Sequence, residues 1–164
     1  MLDKKNVQQD DFLLFLSTCS QNEINIKQKQ EKTVEQYITE ANEGNQYAQY
    51  KLAICYENGI CVKRNQETAV KLYTTSANAG NIHAQNNLGY CYEHGEGVKK
   101  SEEKAFELYT SSADAGNPYA QYNLARCYEK GIGISKNVAK AIELYTAAAR
   151  AGYPYAEISL TKYS

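Results

Sequence analysis

The stretch AQNNLGYCYEHGEGVKKSEEKAFELYTSSADAG, residues 84–116, decides the fold because its pattern returns every 36 residues along the chain. Alanine, leucine and glycine keep this spacing without a single insertion. The recurring residues are Ala48, Ala84, Ala120 and Ala156; Leu52, Leu88, Leu124 and Leu160; and Gly44, Gly80, Gly116 and Gly152. A fixed period of this length indicates an array of structural repeats in which each unit packs on its neighbours.

Each repeat has the pattern of two helices. The apolar side chains of the first helix recur at i, i+4, i+7 and i+8, as in Ala48, Leu52, Cys55 and Tyr56. Those of the second helix recur at i, i+3, i+4 and i+8, as in Ala69, Leu72, Tyr73 and Ala77. Both spacings place the apolar residues on one helical face. No stretch has a strand pattern, so the expected fold is all-α.

The turns carry the residues that helix ends prefer. Glycine, which suits a left-handed C-terminal cap, follows the first helix, and an N-capping Asn or Ser precedes the second. Proline stands in the first turn of two first helices, where its missing N–H costs nothing. These residues are Gly59, Gly95 and Gly131; Asn65, Ser101 and Asn137; and Pro118 and Pro154.

The second unit also carries a known family pattern. Its matching positions are Ala84, Leu88, Gly89, Tyr92, Gly95, Gly97, Val98, Lys104, Ala105, Tyr109, Ala113 and Gly116. This unit resembles the Sel1-like repeat, a relative of the tetratricopeptide repeat; the first unit departs from the pattern at Ala53, Cys61 and Thr68. The resemblance implies an α/α right-handed superhelical solenoid of helix-turn-helix repeats. It also implies a non-catalytic scaffold or adaptor that binds proteins, in signalling or in protein quality control.

The repeat boundaries predict the domain organisation. Residues 31–44 form a half repeat, full repeats follow at about 45–80, 81–116 and 117–152, and a terminal helix lies within 153–164. Residues 1–30 precede the array as a short amphipathic helix at 11–19 and a polar linker that runs over 21–32. We expect that helix to cap the first repeat; a free partner-binding motif is the alternative.

Composition and charge narrow the class of partner. The 18 Lys+Arg and 19 Asp+Glu leave a net charge of −1, whereas nucleic-acid binding needs a surplus of clustered positive charge. The longest apolar run, residues 12–16, is far shorter than the ~20 residues of a membrane helix, and no signal peptide is evident. We therefore expect no nucleic acid, no membrane and a cytoplasmic location, in which the five Cys stay thiols.

Candidate chemistry comes from recurring cysteines and glutamates. Cys55, Cys91 and Cys127 share one position on the apolar stripe, as small buried side chains would. Glu57, Glu93 and Glu129 recur in every repeat, which favours a structural contact to a neighbouring loop or unit over a unique active site. Cys91 and His94 supply only two zinc ligands. We expect no enzyme, metal or cofactor; thiol- or metal-dependent ligand binding is one alternative, and a regulatory remnant of a larger multidomain protein is another.

A partner is expected to bind where the repeats vary. By analogy with tetratricopeptide repeats, the first helices line a concave groove for a protein or peptide. The predicted groove residues are Tyr47, Tyr50, Lys51, Ile54 and Asn58; His83, Asn86, Asn87, Tyr90 and His94; Tyr119, Tyr122, Asn123, Arg126 and Lys130; and, from the terminal helix, Tyr155, Ile158, Ser159 and Lys162. Tyr and Arg are frequent binding hot spots. The basic residues Arg126, Lys130 and Lys162 predict that the bound segment is acidic.

Overall fold

The computed structural model describes residues 23–163, with side chains from residue 33 onward. Eight helices and no strand occur in this range, which confirms the all-α repeat fold. The helices are α1 (Glu23–Asn42), α2 (Gln46–Asn58), α3 (Gln66–Asn78), α4 (Ile82–His94), α5 (Glu102–Asp114), α6 (Pro118–Lys130), α7 (Val138–Arg150) and α8 (Pro154–Leu160). They belong to two compact units, the N-terminal unit Met1–Asn81 and the C-terminal unit Ile82–Ser164.

The first helix begins earlier than the sequence pattern predicted. α1 starts at Glu23, so most of the stretch 21–32, which was interpreted as a linker, is helical. That stretch is polar but holds neither Gly nor Pro, and its Glu, Lys and Gln are good helix formers. A polar composition is therefore not sufficient evidence for a linker. The helix predicted at 11–19, together with its capping role, lies outside the described residues.

The core of the N-terminal unit joins the end of α1 to α2. Val34 and Ala41 of α1 pack with Ala48, Leu52 and Cys55 of α2, and all five are buried. Small alanines let the two helices approach closely, while Leu52 fills the space between them. α3 also packs on α2, and its Tyr73 is fully buried.

The same arrangement returns in the C-terminal unit. Its core joins Ala105, Tyr109 and Ala113 of α5 to Ala120, Leu124 and Cys127 of α6. At the edge of this core the Phe106 ring packs edge-on against the Tyr128 ring, with centroids 5.5 Å apart. Residues 72 positions apart, for example Leu52 and Leu124, occupy equivalent places in the two cores, so both units pack in the same way.

Helix ends follow the predicted chemistry. Gly59, Gly95 and Gly131 have φ of 72°, 74° and 79°, the left-handed region that glycine adopts without strain. The side chains of Asn65, Ser101 and Asn137 each accept a backbone N–H from the first turn of the following helix. No described helix is both long and apolar enough to cross a lipid bilayer.

Candidate partner-binding site

The recurring glutamates contact tyrosines of their own repeats. The hydroxyl groups of Tyr73, Tyr109 and Tyr145 donate hydrogen bonds to Glu57, Glu93 and Glu129 over 3.1, 2.8 and 2.9 Å. Each pair joins the second helix of a repeat to its first helix, 16 residues earlier. The glutamates are therefore structural, as expected, although this tyrosine partner within the same repeat was not predicted.

Two of these glutamates also bind side chains one repeat further on. Glu93 accepts a hydrogen bond from Arg126 Nη2 at 2.9 Å, and this ion pair is mostly buried. Glu129 accepts hydrogen bonds from Tyr163 at 2.7 Å and from Lys162 at 3.3 Å. Partial burial would raise the pKa of Glu129, but the hydrogen bonds from Tyr163, Tyr145 and Lys162 outweigh it and lower the pKa.

Arg126 also joins a chain of amides inside the C-terminal unit. Its Nη1 donates to Asn123 Oδ1 over 3.3 Å, and Asn123 Nδ2 donates to Asn86 Oδ1 over 2.9 Å. Asn86 Nδ2 donates in turn to Asn87 Oδ1 over 3.3 Å. These three asparagines were predicted to line a groove, but each is buried and bonded within the protein.

Other predicted groove residues are also buried rather than exposed to solvent. The structure buries Tyr50, Lys51, Ile54, Tyr90 and Ser159 as well, with exposed fractions of 1%, 6%, 0%, 8% and 7%. The ammonium group of Lys51 lies over the rings of Tyr47 and Tyr50, at 5.1 and 5.4 Å from their centroids, which explains how a lysine is accommodated there. The expectation that these positions are exposed to a partner is therefore corrected.

The histidines and Asn58 are bonded to their own surroundings. His94 stacks on the Tyr90 ring, with centroids 4.1 Å apart, and its Nδ1 lies 3.1 Å from the Tyr90 carbonyl oxygen. His83 Nδ1 lies 3.4 Å from the side-chain nitrogen of Asn117, which caps α6. Asn58 donates to the Ile54 carbonyl. Their contacts indicate local structural roles.

Three partly exposed tyrosines of the C-terminal unit lie together around a buried fourth. We define the tyrosine cluster as Tyr119 and Tyr122 of α6, Tyr155 of α8 and Tyr153, which precedes α8. Tyr153 is buried at the centre, with ring centroids 5.1, 5.0 and 5.5 Å from those of Tyr119, Tyr122 and Tyr155. The outer three rings are partly exposed. Burial, followed by the neighbouring tyrosines, raises the pKa of Tyr153, so the central ring stays neutral.

Sequence reasoning missed the central member of this cluster. Tyr153 occupies the position at which the other repeats have the asparagines Asn45, Asn81 and Asn117. Asn45 and Asn117 cap the following helix with their side chains, whereas Tyr153 makes no side-chain cap. An aromatic residue in place of a capping asparagine was the available signal.

Two further predicted groove residues, one apolar and one basic, are exposed in this unit. Ile158 of α8 is 60% exposed, and Lys130 at the end of α6 is exposed. Of the three predicted basic residues, Arg126 and Lys162 are engaged by Glu93 and Glu129. The local positive charge is therefore smaller than the sequence suggested.

The thiols of the recurring position are buried. Cys55, Cys91 and Cys127 are at most 1% exposed, whereas Cys61 is exposed. Burial, the main cause in each case, raises the pKa of Cys55 and of Cys127 to about 12. Nowhere in the described part of the chain do three or more His, Cys, Asp or Glu side chains gather as metal ligands would.

Comparison with known proteins gives a consistent result. The family model described as "Sel1 repeat" matches residues 46–81, 82–117 and 118–153. A Sel1 repeat protein from Oxalobacter formigenes is 38% identical, with a TM-score of 0.71 over 78% of this chain and 96% of that one. No curated protein sequence matches.

Two further solved structures share the architecture. The protective antigen c5321 of uropathogenic Escherichia coli, which displays an SLR fold, is 31% identical with a TM-score of 0.73; the match covers 77% of this chain and 27% of that one. Helicobacter pylori cysteine rich protein B is 19% identical, with a TM-score of 0.62 over 79% and 93% of the two chains. The second likeness concerns the fold alone.

Proposed function

Because the chain belongs to the Sel1 repeat family, we propose that it is a non-catalytic scaffold or adaptor that binds a peptide or protein segment through the tyrosine cluster. Sel1 repeats commonly serve as protein–protein interaction modules. The arrangement of Tyr119, Tyr122 and Tyr155 around a buried Tyr153 is the observation that carries this proposal. Roles in signalling or in protein quality control are part of the same proposal.

The physical argument rests on pre-organised aromatic surface. A tyrosine ring offers a large apolar face and a polar hydroxyl, and it loses little conformational entropy on binding. Here the central ring holds the outer three in place before any partner arrives, which lowers the entropic cost of association. The exposed Ile158 extends the surface along α8. We therefore expect a partner segment that inserts apolar or aromatic side chains between the rings.

Charge contributes less to the proposed recognition than ring contacts. Glu93 and Glu129 already offset Arg126 and Lys162, so Lys130 carries most of the attraction for an acidic partner. An exposed charge is screened by salt within about 8 Å at physiological ionic strength. Acidic residues in the partner are expected to speed association rather than to determine affinity. Measuring binding at low and high salt tests this part of the proposal.

The main experiment combines capture with matched variants. The wild-type chain is used to capture proteins from a native lysate, and the bound segment is mapped and synthesised as a peptide. We expect the double variant Tyr119→Ser/Tyr155→Ser to bind that peptide at least ~10-fold more weakly, because hot-spot tyrosines contribute about 1–2 kcal/mol or more each. The matched control is Tyr47→Ser, which changes the equivalent position in the N-terminal unit, where Tyr47 is 53% exposed.

The two variants give distinct outcomes. Loss of binding in the double variant with binding retained in the control supports the tyrosine cluster. Loss only in Tyr47→Ser moves the site to the N-terminal unit and refutes the cluster. Circular dichroism melts of each variant establish that any loss is not caused by unfolding.

We also propose a cytoplasmic location. Cys55 and Cys127 are buried thiols, which supports this location, since the cytosol keeps thiols reduced. Cell fractionation tests this, and recovery of the protein in an extracellular or periplasmic fraction would contradict it.

A further inference from the structure

The repeat period continues on the N-terminal side of the three matched repeats. The family match begins at residue 46, yet residues 10–45 align with residues 46–81 without a gap. Before residue 33 the identical residues are Leu16, Cys19, Asn22, Ile24, Lys27, Gln30 and Glu31, which correspond to Leu52, Cys55, Asn58, Ile60, Lys63, Gln66 and Glu67. Within α1 and just after it they are Val34, Tyr37, Thr39, Ala41, Asn42, Gly44 and Asn45, which correspond to Val70, Tyr73, Thr75, Ala77, Asn78, Gly80 and Asn81. Residues 10–45 therefore have the sequence of a complete repeat.

The segment 10–22 matches a first helix in its polar positions as well. Gln21 takes the place of Glu57, which accepts a hydrogen bond from the Tyr73 hydroxyl group. The amide oxygen of a glutamine can accept the same bond. Tyr37 of α1 is the tyrosine that corresponds to Tyr73, so the sequence preserves both members of this pair.

α1 has the surface of a second helix. In α3, α5 and α7 three positions are at most 1% exposed, and they are occupied by Ala69, Tyr73 and Ser76; Ala105, Tyr109 and Ser112; and Ala141, Tyr145 and Ala148. Two of these positions bind the first helix of the same repeat, since Tyr73 donates to Glu57 and Ser76 donates to the Gln46 carbonyl oxygen over 2.6 Å.

The same three positions of α1 are less buried. Thr33, Tyr37 and Glu40 are only partly buried, whereas Val34 and Ala41, which pack against α2, are buried. The difference is confined to the positions that would contact the first helix of the same repeat. For α1 that helix would precede Glu23, outside the residues whose structure is described.

We propose that residues 10–22 dock on this side of α1 as the first helix of a fourth repeat, residues 10–45. The segment has 13 residues, which is the length of α2, α4 and α6. Its leucine and cysteine fall at the places that Leu52 and Cys55 hold in α2. The α2–α3 interface supplies the geometry. A free partner-binding motif is the less suitable alternative, because such a motif has no need of the repeat pattern.

Docking in this register requires a turn before the second helix. Residues 23–29 form the beginning of α1, whereas residues 59–65 connect α2 to α3 as a loop. Asn25 stands at the position where Cys61, Gly97 and Gly133 have φ of 54°, 68° and 66°. Asparagine is one of the residues other than glycine that adopt this conformation most readily. We therefore expect α1 to shorten by residues 23–29 when the segment docks.

Thermal melts of the full chain give the first test. Leu16→Ala is expected to lower the melting temperature by at least ~4 °C, because the equivalent Leu52 is 5% exposed and a buried leucine is costly to remove. Leu2→Ala is the matched control, since it makes the same change outside the proposed repeat. It is expected to leave the melting temperature unchanged.

Thiol labelling gives a second test that does not depend on melting. A short pulse of N-ethylmaleimide is applied to the native, reduced chain, and the labelled peptides are quantified by mass spectrometry. Because Cys55 at the equivalent position is fully buried, we expect Cys19 to react at least ~10-fold more slowly than the exposed Cys61. Leu16→Ala should speed the labelling of Cys19 and leave that of Cys61 unchanged.

Two substitutions at Asn25 test the turn. In a turn with positive φ, Asn25→Gly keeps or raises the melting temperature, whereas Asn25→Val lowers it because a β-branched residue is strained there. In a continuous helix the order is reversed, since glycine is the poorer helix former and valine is close to asparagine.

Four results would overturn the inference. They are equal melting temperatures for Leu16→Ala and Leu2→Ala, labelling of Cys19 as fast as that of Cys61, a lower melting temperature for Asn25→Gly than for Asn25→Val, and a sedimentation profile in which the chain is a dimer that Leu16→Ala dissociates. The last result would place the segment on α1 of a second copy instead of its own.

Discussion

Replacing Tyr109 with Phe removes one hydroxyl group from a buried glutamate–tyrosine pair. Tyr109 is fully buried, Glu93 is 7% exposed, and the bond between them is 2.8 Å long. A hydrogen bond to a charged group contributes about 1.5–3 kcal/mol, and a buried carboxylate oxygen without its donor retains its desolvation penalty. We therefore expect Tyr109→Phe to lower the free energy of unfolding by about 1.5–3 kcal/mol.

The same substitution in the next repeat is the matched control. Glu129 is partly exposed, so water can replace the missing donor when Tyr145 loses its hydroxyl. We expect Tyr145→Phe to cost about 0.5–1 kcal/mol. Both substitutions remove a single oxygen atom and leave the ring in place, so packing differences are small.

Thermal and urea unfolding of the two variants measure the difference. For a chain of this size, 1 kcal/mol corresponds to a melting-temperature shift of roughly 2–4 °C. Tyr109→Phe should therefore melt several degrees below Tyr145→Phe, with little change in the urea m-value. Equal costs, or a larger cost for Tyr145→Phe, would refute the reasoning that burial sets the strength of these pairs.

Four other perturbations test the packing and electrostatics. Leu88→Ala should lower the unfolding free energy by ~2–5 kcal/mol in a urea titration, because Leu88 is 4% exposed in a close-packed core. Asn117→Ala should cost ~1 kcal/mol through loss of the α6 N-cap, seen as a lower melting temperature. Burial, followed by the neighbouring Tyr47, raises the pKa of Tyr37 to about 12 from its ordinary value near 10. The neutral Tyr37 side chain therefore contributes its full stabilisation below pH ~10, and this stabilisation is lost as the pH rises from there towards 12. Melting temperatures should fall over that pH interval. In native protein, Cys61 should react with a thiol reagent at pH 8 far faster than Cys127, whose burial raises its pKa to about 12, and equal rates would contradict the assigned burial.

Periodicity predicted the helices and their ends well. Apolar spacing, glycine after each first helix and an Asn or Ser before each second helix all specify local geometry, and the structure confirms them. The start of α1 was predicted wrongly because the stretch 21–32 is polar. A surface helix can be polar over several turns, and only Gly or Pro would have marked a break there.

The candidate site was harder to predict than the fold. Positions were assigned to a groove by analogy, but burial depends on which neighbouring side chains reach them. Asn123 and Asn86 face each other and bond, which no single-repeat pattern reveals. Arg126 forms an ion pair with Glu93, which lies 33 residues earlier. This separation is close to one full repeat, so the two side chains meet between adjacent repeats. Tyr153 was not predicted because it occupies a helix cap and not one of the recurring positions within the first helices.

The shared carboxylate of Glu93 has a consequence for how the C-terminal unit unfolds. One of its oxygens binds Tyr109 of the same repeat, and the other binds Arg126 of the following repeat. If the following repeat unfolds alone, the Glu93 carboxylate stays buried without its counter-charge. This raises the free energy of that partly unfolded state. In a nearest-neighbour description, such a pair adds to the coupling between repeats rather than to the intrinsic stability of either. Adjacent repeats of this unit should therefore unfold together, with few intermediates populated.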